Sequence, residues 1–123
     1  MSGAKLRNMT MDQLVERFVK IALEQDEAEV MGDTQKFSPL FRQMEAVEDE
    51  LKARPGDQRR LLLSLYAHPN AQVRVKAAKA TLAVAPQAAR NALMKLAASH
   101  EYPQSGEAGM SLVNLDRGIF KPT

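Results

Sequence analysis

His68 and His100 are the only imidazoles in the 123-residue chain, and cysteine and tryptophan are absent. General acid–base chemistry needs such a group held within hydrogen-bond reach of a partner. His68 stands before Pro69, a turn or cap position, and His100-Glu101 lies in a loop-like stretch where neighbouring positions need not converge. Neither histidine belongs to a Glu-x-x-His pair, so the helical di-iron pattern is missing. Glu45, Glu48, Asp49 and Glu50 offer carboxylates to a divalent cation, but acids at consecutive positions radiate around a helix and lack the loop geometry of a calcium site. With no thiolate and no glycine-rich phosphate loop, the expectation is a non-catalytic chain with no metal and no cofactor.

Charge is the residue chemistry that remains. Residues 10–51 carry eleven acids against four bases, a balance of minus seven, while residues 52–100 carry nine bases against Asp57, a balance of plus eight. The net +2 therefore conceals a dipolar molecule. Such asymmetry steers an acidic partner to one end, promotes head-to-tail self-association, or simply marks solvated helix faces. Nine bases over a few helices would also serve a nucleic acid, with affinity that falls steeply with salt. No helix-turn-helix signature, RNA-reading aromatic motif or basic tail accompanies them, and the acidic first half opposes a long polyanion.

The elements that must position these groups are helical. Reading for period gives six segments with helical spacing and no sustained apolar/polar alternation, so an all-α fold is expected. Thr10 with Gln13 forms a capping box ahead of Leu14, Phe18, Ile21 and Ala28, and Gly32 ends that segment. A second segment opens at Asp33 or Thr34, repeats Phe37, Leu40, Phe41, Met44, Val47 and Leu51 at threes and fours, and stops before Pro55-Gly56. Asp57 caps a third, whose Leu61, Leu62, Leu63, Leu65 and Tyr66 are dense enough to pack on two sides. After the His68-Pro69-Asn70 break a fourth runs from about residue 71 to 83, rich in alanine; Pro86 opens the fifth, with Ala89, Leu93 and Leu96 inward. The sixth, about 106–116, is weakened by Gly106 and Gly109 but keeps Ala108, Leu112 and Leu115 in register. Residues 1–9 are expected to be a flexible N-terminus, 10–118 a single domain and 119–123 a tail. No apolar stretch approaches the length of a membrane span and the start lacks the apolar middle of a signal peptide, so a cytoplasmic location is expected.

Leu62, Leu65, Pro69, Val73, Arg74, Ala77, Ala78 and Leu82, over about residues 58–84, resemble a HEAT or armadillo repeat. The resemblance implies that Pro69 kinks the chain between paired helices, Val73 enters their core and Arg74 braces neighbouring repeats. Pairing the other segments as two degenerate repeats gives a short α-α superhelix of about six helices in three antiparallel hairpins. The whole chain also resembles a small bacterial family of uncharacterised HEAT-like single-domain proteins, which implies a fold and no activity.

Such stacks work as concave binding surfaces. On the repeat reading, the polar stripe Gln72, Lys76 and Lys79 lines the inner surface beside Arg42, Glu45 and Asp49, giving a face with acidic and basic halves. Tyr102, next to Pro103 in a loop, is a candidate anchor for a partner, or folds back over the last two helices. The expected function is a protein–protein interaction module whose partner is another protein or a second copy. The alternatives are a nucleic-acid binder using residues 52–100 and an immunity or regulatory protein capping a toxin or enzyme. On this reading Lys76→Glu with Lys79→Glu leaves melting nearly unchanged while weakening capture of the partner.

Overall fold

The computed structural model describes residues 3–123, and all the regular structure among them is helical. Residues 1–61 and 62–123 form two compact units. In the first, α1 (Gly3–Arg7) precedes α2 (Met11–Met31), a 3-10 turn (Thr34–Lys36) and α3 (Phe37–Ala53). The second holds α4 (Ala71–Ala80), α5 (Pro86–Ala97) and α6 (Gln104–Asp116), and the boundary falls within a 3-10 segment, Gln58–Ala67.

Local chemistry sets the ends of α2. Thr10 Oγ1 accepts from the Gln13 N–H at 3.1 Å while the Thr10 N–H donates to Gln13 Oε1 at 2.9 Å, which satisfies donors that a helix start leaves orphaned. At the other end Gly32 adopts φ 66°, a left-handed conformation, and the Asp33 N–H reaches back to the Ala28 carbonyl at 2.9 Å. Between these caps Leu14, Phe18, Ile21, Ala22 and Ala28 are buried as α2 packs on α3, which contributes Leu40, Met44, Val47 and Leu51. Phe37 and Phe41 do not join them: Phe41 is 60% exposed. At about 100° per residue Phe41 is turned well away from Leu40, so the buried stripe of α3 is narrower than its run of apolar residues.

Two expectations are revised in this half. Met1 and Ser2 lie outside the described residues, but residues 3–7, expected to be flexible, form a helix with Leu6 buried. A five-residue helix has too few hydrogen bonds to persist alone. Arg54 holds it from a distance: its Nη2 donates to the carbonyls of Leu6 at 3.1 Å, Arg7 at 3.4 Å and Met9 at 2.9 Å, while its Nε pairs with Glu50 at 2.6 Å. The leucine-dense segment after Asp57, expected to be a helix packed on two sides, winds as a 3-10 helix with Leu62 and Leu65 buried and Leu61 exposed. Side chains three apart eclipse in that geometry, so the buried pair shares one edge. Asp57 sits at φ 53° and grips Arg59 with both carboxylate oxygens, at 2.9 and 2.7 Å; that bond holds its carboxyl below the usual range.

In the second unit α4, α5 and α6 pack on one another around Val75, Ala78, Leu82, Ala89, Leu93, Leu96 and Ala108. Asn70 caps α4, its Oδ1 accepting from the N–H groups of Gln72 at 2.8 Å and Val73 at 3.1 Å. The helix ends at Ala80 rather than near 83, because the Thr81 hydroxyl turns back to the Ala77 and Ala78 carbonyls at 2.8 and 3.2 Å. Pro86 occupies the first turn of α5, where its missing N–H costs nothing. The last helix, α6, begins at Gln104, two residues before the expected start, because Gln104 and Ser105 are both buried and bonded inward. Beyond it, the N–H groups of Ile119 and Phe120 both donate to the Asn114 carbonyl, which ties down the start of the expected tail. No described helix is long and apolar enough to cross a membrane.

Two stability changes of opposite sign follow. Val73→Asp places an unpaired charge where no solvent reaches and is expected to cost about 3–5 kcal/mol by denaturant unfolding. Gly109→Ala adds a Cβ with no atom within 4 Å to meet and is expected to raise stability by about 0.5–1 kcal/mol.

Candidate functional site

The polar stripe of α4 is not open to solvent along its length. Gln72, Lys76 and Lys79 fall at intervals of four and three, on one helix face, and that face meets α6. Gln104 Nε2 donates to Gln72 Oε1 at 3.0 Å between two buried side chains. One turn further along α6, a Glu107 oxygen accepts from Lys76 Nζ at 2.7 Å and Lys79 Nζ at 3.1 Å. Burial alone would push the Glu107 carboxyl up, but the attraction and hydrogen bonds of the two ammonium groups outweigh it and hold it below its ordinary value of 4.5. The stripe is thus a seam that clips α4 to α6. Glu107 is the sole acid from residue 102 to 115, the one signal in the sequence that marked it as the counterion.

Pro69, Val73 and Arg74 occupy the turn and the start of α4. Val73 is fully buried and Pro69 exposed. Arg74 Nη2 donates to Glu101 at 3.0 Å and to the Pro69 carbonyl at 3.4 Å, while its buried Nε has no acceptor among the described residues. The pair with Arg74 lowers the Glu101 carboxyl and fastens the α5–α6 loop, with Ser99 Oγ accepting from the Glu101 N–H at 3.2 Å. Tyr102 projects from that loop, 69% exposed, its ring centroid 6.2 Å from that of His100. In the first unit Arg42, Glu45 and Asp49 stand exposed on α3, and none forms an ion pair among the described residues.

Beside the turn lies a cleft of about 450 Å³, which the sequence reading did not anticipate. Tyr66, Ala92 and Leu96 give it apolar walls, and His68, Arg74 and Lys95 bring nitrogen donors to it. The Tyr66 hydroxyl is bonded to Thr81, and burial raises its pKa, so it stays protonated. His68 Nδ1 accepts from the Asn70 N–H at 3.0 Å, which puts the imidazole proton on Nε2 as a further donor. Lys95 is exposed and forms no ion pair among the described residues. No acid lines the cleft. A second cavity, of about 660 Å³ in the first unit, has Glu24, Glu27 and Asp33 in its wall beside Lys36. Among the described residues no group of three or more histidines or carboxylates could hold a metal ion.

The comparisons cover nearly the whole chain. A family model described as "Domain of unknown function (DUF2019)" matches residues 12–116. The crystal structure of the protein RPA1889 from Rhodopseudomonas palustris CGA009 superposes with a TM-score of 0.93 at 51% identity, covering 96% of this chain and 98% of that one. No curated protein matches.

Because Lys76 and Lys79 converge on Glu107, Lys76→Glu with Lys79→Glu would assemble three carboxylates and is expected to cost about 2 kcal/mol, in place of the neutral melt expected from an open stripe. The Glu107 carboxylate favours folding above pH 4.5, and its contribution drains away as pH falls through the lowered pKa. Glu107→Gln should therefore melt below the wild type at pH 7, the gap closing on the acid side of 4.5.

Proposed function

The chain belongs to the DUF2019 family, a domain of unknown function, and from that premise we propose that it is a non-catalytic protein-binding module whose second unit holds an acidic partner. The observation that carries this reading is an exposed Lys95, without an ion pair among the described residues, at a cleft whose Arg74 also fixes, through Glu101, the loop that bears the exposed Tyr102. An aromatic ring on a fastened loop loses little freedom on docking, and an exposed ammonium with no ion pair among the described residues attracts and orients a carboxylate. Lysines 76 and 79 act as structural members in this reading, and Lys95 is the contact base at the cleft.

Internal pairing also favours a protein over a nucleic acid as partner. Arg74, Lys76, Lys79 and Arg90 spend charge on Glu101, Glu107 and Asp116, so the basic segment presents fewer free cations than its composition promises. A HEAT-like relationship for the second unit is part of the same proposal. Its support is Pro69 in the turn, a fully buried Val73 and the arginine after it bonded to the following loop; the 3-10 winding of residues 58–67 departs from the regular repeat.

Tagged wild-type protein and the Lys95→Glu, Tyr102→Ala double variant, both used at low salt on lysate of the source cells, test the proposal. The variant is expected to melt like the wild type, since both side chains are exposed, and to lose most of the captured partner. Equal capture by the two proteins would overturn the proposal.

A further inference from the structure

We propose that the cleft beside the His68–Asn70 turn is a binding site for a carboxylate carried on a short apolar group. The inference rests on the reading of this cleft as the contact surface and gives that contact its chemistry. Three features select the ligand. The cleft's volume of about 450 Å³ exceeds what one hydrated ion needs and lies within the range of small-ligand sites. The polar side chains that reach it, apart from the Tyr66 hydroxyl already bonded to Thr81, are the Lys95 ammonium, the Nε2–H of His68 and the Arg74 guanidinium. A cation would find no counter-charge there, because no acid lines the space.

The remaining wall decides between anions. The Tyr66 ring, Ala92 and Leu96 offer apolar surface that inorganic phosphate would leave unfilled and that a short hydrocarbon chain would cover. Arg74 is already held through Nη2 by Glu101 and the Pro69 carbonyl, so it braces the site and adds field, while Lys95 is the group free to close on the ligand. A carboxylate of this kind comes either as a free small molecule or as the end of a polypeptide whose last side chain is apolar.

Amide NMR of the full chain separates the cases, with hexanoate as probe, hexanamide as its uncharged counterpart and inorganic phosphate as the bare anion. Hexanoate is expected to give saturable shifts at the amides of His68, Arg74, Lys95 and Leu96. Hexanamide, and hexanoate with Lys95→Gln, are each expected to bind about tenfold more weakly, the loss of one charge-assisted hydrogen bond. Equal binding of hexanoate and hexanamide, shifts scattered outside these residues, or equal binding of phosphate would overturn the site. A tetrapeptide ending in leucine, as free acid and as amide, identifies the source. Tighter binding of the acid than of hexanoate assigns a chain end, and weaker binding a free small carboxylate, each sustaining the site. Failure here with capture still lost in the Lys95→Glu, Tyr102→Ala variant removes the carboxylate site and leaves the partner reading standing. Hexanoate binding with equal capture by wild type and that variant does the reverse.

Discussion

A ten-residue helix lying against two others can keep five of its residues from water only if the side chains on its flanks are short or satisfied. Helix α4 meets this with Val73, Val75, Ala77 and Ala78 as the buried apolar positions and Gln72 as the buried polar one. Ala78 lets α5 and α6 both approach, and at interior packing density a larger side chain there is costly. Gln72 would be costly there unbonded, and the facing amide of Gln104 removes that cost. The early start of α6, the position of Glu107 and the clip to Lys76 and Lys79 follow from that one buried pairing, because Gln104 and Glu107 are a single turn apart.

The turn before α4 shows how such a constraint creates a surface. Asn70 spends its side chain on the first N–H groups of the helix, and His68 uses Nδ1 to fix the Asn70 backbone. Both are acts of local satisfaction. Their by-product is an imidazole with its remaining N–H beside a guanidinium and an ammonium, above apolar side chains of the neighbouring helix. The donors are gathered by the requirements of folding, and a chemically defined hollow is the result.

What the sequence disclosed and what it withheld divide along the range of the interactions. The Thr10–Gln13 box, the Gly32 stop and Pro86 at a first turn act within a few residues, and each is where local chemistry places it. The all-helical character and most inward positions were legible for the same reason. The winding of residues 58–67 was not, because five large apolar residues among six positions satisfy several helical periods at once. The fate of Lys76 and Lys79 was equally hidden: their counterion lies 31 and 28 residues away, and an exposed stripe and a clipped one read alike. Lys95 and His68 share a surface only because the fold brings them to one hollow.

The grip of Arg54 on α1 has a dynamic corollary. One guanidinium holds three carbonyls at the end of a helix too short to stand by itself, so α1 is kept on α3 by these bonds together with the burial of Leu6. Such a clasp opens as one piece, at a small fraction of the global unfolding free energy. Opening there would bare the apolar spot under Leu6 while leaving the caps and buried stripes of α2 and α3 untouched.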